Sequence, residues 1–188
     1  MARRRRGTRA SAGGSIRLLV LDVDGVLTDG RLYYGPRGEL IKCFHVRDGH
    51  GIKVLRAAGI EVAVLSGRRS AAVDRRCREL GIRHVIQGAD DKLSAFGRLA
   101  ARLRVRPSEC ACIGDDVPDV PLMRAVGLAF AVADAHPAAR RTAHYTTSLQ
   151  GGSGAVREVC DHLVGALGRP EASSRREPGR ERAQEREP

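Results

Sequence analysis

The chain has 188 residues, 42% of them hydrophobic and 3% aromatic, a length that suits one domain with one sizeable core and excludes two independent catalytic domains. No apolar run approaches the roughly 20 residues needed to cross a bilayer, so no membrane is expected as a partner. Of the formal net charge of +11, +5 falls on residues 1–14, +1 on residues 169–188 and +5 on the stretch between, which is only mildly basic.

Residues 1–14 hold five arginines, four of them in the run from Arg3 to Arg6, and read as a disordered basic arm. A solvated terminus is the plain reading, and contact with nucleic acid or another acidic surface is the alternative. The arm lacks stacking aromatics, so a nucleic-acid partner is not expected. No apolar segment follows it, which argues against a secretory or twin-arginine leader and for the cytoplasm. The five cysteines (Cys43, Cys77, Cys110, Cys112, Cys160) are odd in number and show no metal-ligand spacing, and they fit reduced thiols.

Residues 16–23 (IRLLVLDV) form an apolar run of the kind expected from a strand buried on both faces. Residues 27–46 then offer two β-prone stretches around Gly35-Pro36-Arg37-Gly38, a turn signal, and so predict a β-hairpin inserted after the first strand. From there strands and helices alternate. Helical spacing at 51–58, 70–80, 92–103 and 118–126 separates apolar runs at 60–65, 84–86, 110–113 and 128–132. Cys110 and Cys112 would face one side of their strand as small core residues. A helix over 153–167 closes the domain, placed at 15–168, and the Pro, Ser, Arg and Glu that follow predict a disordered tail over 169–188. The alternation predicts an α/β fold, a three-layer Rossmann-like parallel sheet with ligands at the carboxyl ends of its strands.

Those strand ends hold the chemistry. Asp22 and Asp24 stand two residues apart in Asp22-Val23-Asp24-Gly25, and two carboxylates cannot both be buried there without a cation or hydrogen-bond donors. Gly114-Asp115-Asp116 brings further acids to the same edge, and all-oxygen ligation by carboxylates, water and phosphate suits Mg²⁺. Ser66-Gly67-Arg68 offers a hydroxyl, a flexible backbone and a cation for a phosphoryl group, and Lys92 adds a point charge.

In this order the four motifs resemble those of the haloacid dehalogenase superfamily of phosphotransferases. The phrases LDVDGVLTDG, FHVRDGHGIK, GDDVPDVPLM, VADAHP and GGSGAVREVC are similar, more closely, to its 3-deoxy-D-manno-octulosonate 8-phosphate phosphatases. The likeness extends over residues 16–167, with the hairpin in place of a separate cap domain. It implies Mg²⁺-dependent hydrolysis of that sugar-acid phosphate in lipopolysaccharide biosynthesis, through an aspartyl phosphate; a nonulosonate 9-phosphate is the alternative substrate. Asp22 is then the nucleophile and Asp24 the general acid and base. Ser66 and Lys92 steady the phosphoryl oxygens, and the metal is held by the Asp22 carboxylate, the Asp24 backbone carbonyl and Asp115. Substrate-binding positions implied by the resemblance are Asp24, His45, Val46, Arg47, Asp48, Gly49, Lys53, Arg68, Arg76 and Lys92. Arg76 has a competing reading as part of a solvated basic helix face, and His45 as a plain hairpin residue. Asp116 and Asp119 are expected to support metal and lysine, with helix capping as the alternative.

A hairpin of about 20 residues is too small to shield the site alone, and the resembled family forms tetramers in which four hairpins build a small barrel. Tyr33, Tyr34, Leu40, Ile41 and Phe44 give this hairpin apolar surface for a homotetramer, or for packing on its own domain. Three positions depart from the family pattern: Ser153 and Lys53 where arginine is common, and Asp91 where asparagine is frequent.

Overall fold

The computed structural model describes residues 16–36 and 38–167. The basic arm, Arg37 at the hairpin turn and the tail lie outside the described residues. Six parallel strands form one sheet in the order β5-β4-β1-β6-β7-β8, and an antiparallel pair, β2 (Tyr33–Gly35) and β3 (Gly38–Ile41), stands apart from it. The centre is β1 (Leu18–Leu21), paired on one side with β4 (Glu61–Ser66) and on the other with β6 (Cys110–Gly114). A strand with neighbours on both sides and helices packed around the sheet has no wet face. Its sequence is accordingly LLVL, buried throughout, rather than an alternating pattern.

From β4 the chain runs outward through α2 (Ala71–Leu80) to the edge strand β5 (His84–Gln87) and crosses back through α3 (Lys92–Leu103) to β6. A 3-10 turn at Val117–Asp119 leads into α4 (Val120–Ala125), then β7 (Leu128–Ala131), α5 (Pro137–Thr142), β8 (Tyr145–Thr146) and α6 (Ala155–Leu167). The strand order reverses beside β1, which opens a crevice at the carboxyl ends of β1, β4 and β6. The core runs through both sides of the sheet, with Phe96, Leu55, Ile52, Leu99 and Met123 among its largest fully buried side chains. Cys77, Cys110, Cys112 and Cys160 are part of it; burial raises all four thiols, Cys77 and Cys110 to about 11 and Cys160 to about 12, so they are inert packing groups. Cys43 is exposed.

The structure departs from the sequence expectations in several places. Helix α1 (Val46–Ala57) begins five residues earlier than the spacing predicted, and the hairpin strands are confined to residues 33–41. Gly49 and Gly51 obscured the helix start. At Gly51 a Cβ would lie 3.1 Å from the Arg157 Cα, a backbone contact, whereas at Gly49 it would lie 2.3 Å from the Arg76 guanidinium, the far end of a long side chain. Gly51 lets α1 approach α6 closely. The predicted helix at 118–126 splits into the 3-10 turn and α4, and α5 and β8, six and two residues long, are additional elements.

Candidate active site

Asp22, Asp24, Ser66, Gly67, Arg68, Lys92, Asp115, Asp116, Pro118 and Asp119 line one open cleft of about 270 Å³ at the reversal point. All four expected catalytic residues therefore meet in space, drawn from the ends of β1 and β4 and the start of α3. Ser66 ends β4 and is buried; its Oγ accepts the Arg68 N–H at 3.2 Å, which folds the Ser66-Gly67-Arg68 turn over the cleft. Asp91 caps α3, its side chain accepting the Ser94 N–H at 3.0 Å, and so sets Lys92 in the first turn. Asparagine would cap equally well, so the departure at Asp91 leaves this geometry intact.

Lys92 is the electrostatic centre. Its side chain is 8% exposed, with Nζ 2.8 Å from Asp22 Oδ1 and 2.6 Å from Asp119 Oδ1. Burial works against the ammonium, but the two carboxylates outweigh it and its pKa is raised. Asp22, Asp115 and Asp119 each bring a carboxylate oxygen within 4.8 Å of the others. Burial, and then the charge of Asp119, pushes Asp22 up to about 6; burial, and then the charges of Asp22 and Asp119, pushes Asp115 up to about 8. Three carboxylates against one ammonium leave the cluster short of positive charge. The donors are hard oxygens, so the site fits a divalent cation of the Mg²⁺ type.

Within that trio Asp119 is already committed. Its Oδ1 accepts from Lys92, and its Oδ2 accepts the backbone N–H groups of Asp115 at 3.1 Å and Asp116 at 3.3 Å. Asp116 Oδ1 accepts the Val117 N–H at 2.7 Å, and its side chain forms a reciprocal capping box with Asp119. Support of the lysine and helix capping, alternatives in the sequence, are here one arrangement. Asp22 and Asp115 remain as the carboxylates with oxygens to give a cation.

The loop after β1 is shaped for this. Gly25 has φ +87°, and a Cβ there would lie 2.1 Å from Asp115 Oδ2. The loop is backed by Gly151 and Gly152. The Gly152 N–H donates to the Val26 carbonyl at 3.0 Å, and a Cβ on Gly151 would lie 1.8 Å from the Gly25 carbonyl oxygen. Ser153 stays within this turn, its Oγ 3.5 Å from the Gly151 carbonyl.

The expected substrate positions divide. Asp24, Arg68 and Lys92 face the cleft, but His45, Val46, Arg47, Asp48, Gly49, Lys53 and Arg76 do not line it. His45 caps α1, its Nδ1 accepting the Arg47 N–H at 3.3 Å. Val46, Arg47 and Lys53 are exposed on α1, and Arg76 on α2 lies over Gly49. Asp48 is 1% exposed between α1 and α6: one oxygen accepts the Arg157 N–H at 2.8 Å, the other has no hydrogen-bond partner, and burial raises its pKa. It holds α6 against α1 rather than reaching a ligand in the cleft.

The sequence reading missed a set of hairpin contacts. Lys42 Nζ pairs with Asp24 Oδ1 and lies 3.3 Å from Glu39 Oε2, Ser70 Oγ donates to Glu39, and Arg68 donates to the Tyr34 hydroxyl at 2.8 Å. Gln87, on the edge strand, accepts the Ser70 N–H at 2.8 Å and donates to its carbonyl at 3.3 Å, fastening the same loop. No periodic or spacing signal marks these residues, because each acts across the fold.

A carboxylate at the end of the central strand, paired with a buried lysine in an open cleft of a doubly wound sheet, is the arrangement of a haloacid dehalogenase-like phosphomonoesterase, and a model of the haloacid dehalogenase-like hydrolases matches residues 45–127. The 3-deoxy-D-manno-octulosonate 8-phosphate phosphatase of Escherichia coli is 52% identical over 155 residues, 82% of each chain. The solved structure of the Yersinia pestis phosphatase superposes with a TM-score of 0.80 at 50% identity, over 82% of this chain and 84% of that one. The Moraxella catarrhalis phosphatase, solved with a magnesium ion, a phosphate ion and a KDO molecule, gives a TM-score of 0.80 at 44% identity, over 82% and 89%. This chain belongs to the 3-deoxy-D-manno-octulosonate 8-phosphate phosphatase family.

Proposed function

We propose that the protein hydrolyses 3-deoxy-D-manno-octulosonate 8-phosphate to the free sugar acid and phosphate, supplying lipopolysaccharide assembly. The observation that carries this is Lys92 bridging Asp22 and Asp119 beside Asp115, in a chain 52% identical over 155 residues to a relative named for that activity. Asp22 Oδ attacks phosphorus in line; the Asp22 O–P bond forms as the bond from phosphorus to the sugar oxygen breaks, and Asp24 gives that oxygen its proton. Water then attacks the aspartyl phosphate and passes a proton to Asp24, and the Asp22 O–P bond breaks with release of phosphate. Mg²⁺ held by Asp22, Asp115 and the Asp24 backbone carbonyl offsets the repulsion between carboxylate and phosphate. Lys92 and Ser66 neutralise and orient the equatorial oxygens, and Asp119 fixes Lys92.

A cleft of about 270 Å³ has room for a phosphoryl group and for part of the sugar acid attached to it. Arg68 is the cation within the cleft for the sugar-acid carboxylate. His45 to Gly49, Lys53 and Arg76 belong to the reading as outer anchors or, for Asp48 and Gly49, as the packing that holds them. The exposed Leu32, Tyr33, Tyr34, Leu40 and Ile41 support assembly of a homotetramer through the hairpins, and light scattering should then give four times 20.3 kDa. No described helix is long and apolar enough to cross a membrane, and the buried reduced thiols suit the cytoplasm. The test is phosphate release from the octulosonate ester with Mg²⁺ present or chelated, beside a nonulosonate 9-phosphate. Metal-dependent preference for the eight-carbon ester is expected; cleavage of the nine-carbon ester alone overturns the substrate assignment.

A further inference from the structure

Asp24 must present one oxygen to the departing sugar oxygen, yet it lies beyond the end of β1, between Val23 and Gly25, with its side chain 20% exposed. The carboxylate is held from outside that stretch. Lys42, immediately after β3 on the inserted hairpin, has a side chain only 2% exposed, less than any surface lysine needs, and its Nζ reaches Asp24 Oδ1. The ammonium is itself fixed by Glu39 Oε2 at 3.3 Å, and Glu39 accepts the hydroxyl of Ser70, four residues after Ser66. Asp24 Oδ2, the other oxygen, lies 3.7 Å from Arg68 Nε at the cleft. A buried lysine with two carboxylate partners is costly to desolvate, and that arrangement persists only where the geometry is well fixed.

We propose that Lys42 is a positioning residue for the general acid and base: by donating to Oδ1 it turns Oδ2 toward the cleft, where the transferred proton is carried. This rests on the role of Asp24 given above and adds a function for the hairpin within its own subunit. A carboxylic acid can accept at one oxygen while donating from the other, so the ammonium and the proton do not compete for the same atom. The hairpin then serves as a clamp on the reacting group as well as an exposed apolar surface.

The test is leaving-group dependence. Proton donation matters for a poor leaving group and hardly at all for a good one, so the reasoning predicts which substrates suffer. In Lys42→Met, kcat/KM, which reports transfer to Asp22 and not the later hydrolysis of the aspartyl phosphate, should fall roughly 10- to 100-fold for alkyl and phenyl phosphates, the lower part of what general acid catalysis supplies, and by no more than about 3-fold for 2,4-dinitrophenyl phosphate. Lys42→Arg should recover much of the loss. In an Asp24→Asn background, Lys42→Met should add no further leaving-group sensitivity. Equal losses on poor and good leaving groups, or full additivity with Asp24→Asn, would overturn the proposal. Glu39→Gln provides a second, milder perturbation of the same lysine should Lys42→Met melt early, and it should show the same selectivity. Inactivity of the native enzyme on the octulosonate ester alongside hydrolysis of the aryl series would defeat the substrate assignment and leave this test standing.

Discussion

Alanine at Gly25 separates backbone strain from damage to the metal site, because the fold supplies its own control. Gly25 and Gly59 have nearly the same positive φ, +87° and +89°, but a Cβ at Gly59 meets nothing within 4 Å among the described residues, and one at Gly25 lies 2.1 Å from Asp115 Oδ2. Each substitution should cost about 1–2 kcal/mol for placing an L side chain in the left-handed region. Gly25→Ala must in addition drive the Asp115 carboxylate oxygen back by roughly 1.4 Å to reach ordinary contact at about 3.5 Å. A displaced ligand should weaken Mg²⁺ about 10- to 100-fold, the range seen when metal-ligand support is lost. Chemical denaturation gives the stability of both variants, and Mg²⁺ titration by calorimetry gives the affinity. Comparable destabilisation with a loss of affinity in Gly25→Ala alone is expected. Native Mg²⁺ affinity in Gly25→Ala would refute the role assigned to this contact.

Three other outcomes follow from the site. Asp22→Asn should keep the fold, measured by circular dichroism, and lower turnover by more than about 10⁴-fold; substantial residual activity would remove Asp22 as nucleophile. In metal-free protein, Asp22 and Asp115 bind protons more tightly when folded than when unfolded. Their stabilising contribution is therefore complete below pH 4 and is lost as pH rises through the folded values of about 6 and about 8. Melting temperatures measured with and without Mg²⁺ should accordingly diverge as pH rises, and Asp115→Asn should flatten the metal-free curve. Asp48→Ala should cost about 1–2 kcal/mol by removing the cap on α6, without changing Mg²⁺ affinity, whereas Asp48→Asn, which keeps an acceptor, should cost less.

The central strand and its acids were legible because a strand buried on both faces has to be apolar, so carboxylates at its end stand out. Ser66, Lys92 and Asp115 were equally plain, each lying at a predictable strand end or helix start. What escaped was set by other elements. The start of α1 was hidden by Gly49 and Gly51, residues that usually interrupt helices and here lie against Arg76 and Arg157. Asp48, in the same motif as His45 and Arg47, could be separated from them only once α6 was seen against α1. Lys42 and Glu39 carry no signal in the sequence, since their partners Asp24 and Ser70 lie 18 and 31 residues away.

The glycine turn at 151–152 rests directly on residues 25–28, so the nucleophile loop made near the beginning of synthesis is completed by backbone laid down near the end of the domain. A nascent chain halted before that turn has Asp22, Ser66, Lys92 and Asp115 but not the platform beneath Gly25 and Val26. The loop that carries Asp24 is thus completed late in synthesis, after Asp22, Ser66, Lys92 and Asp115 have all emerged.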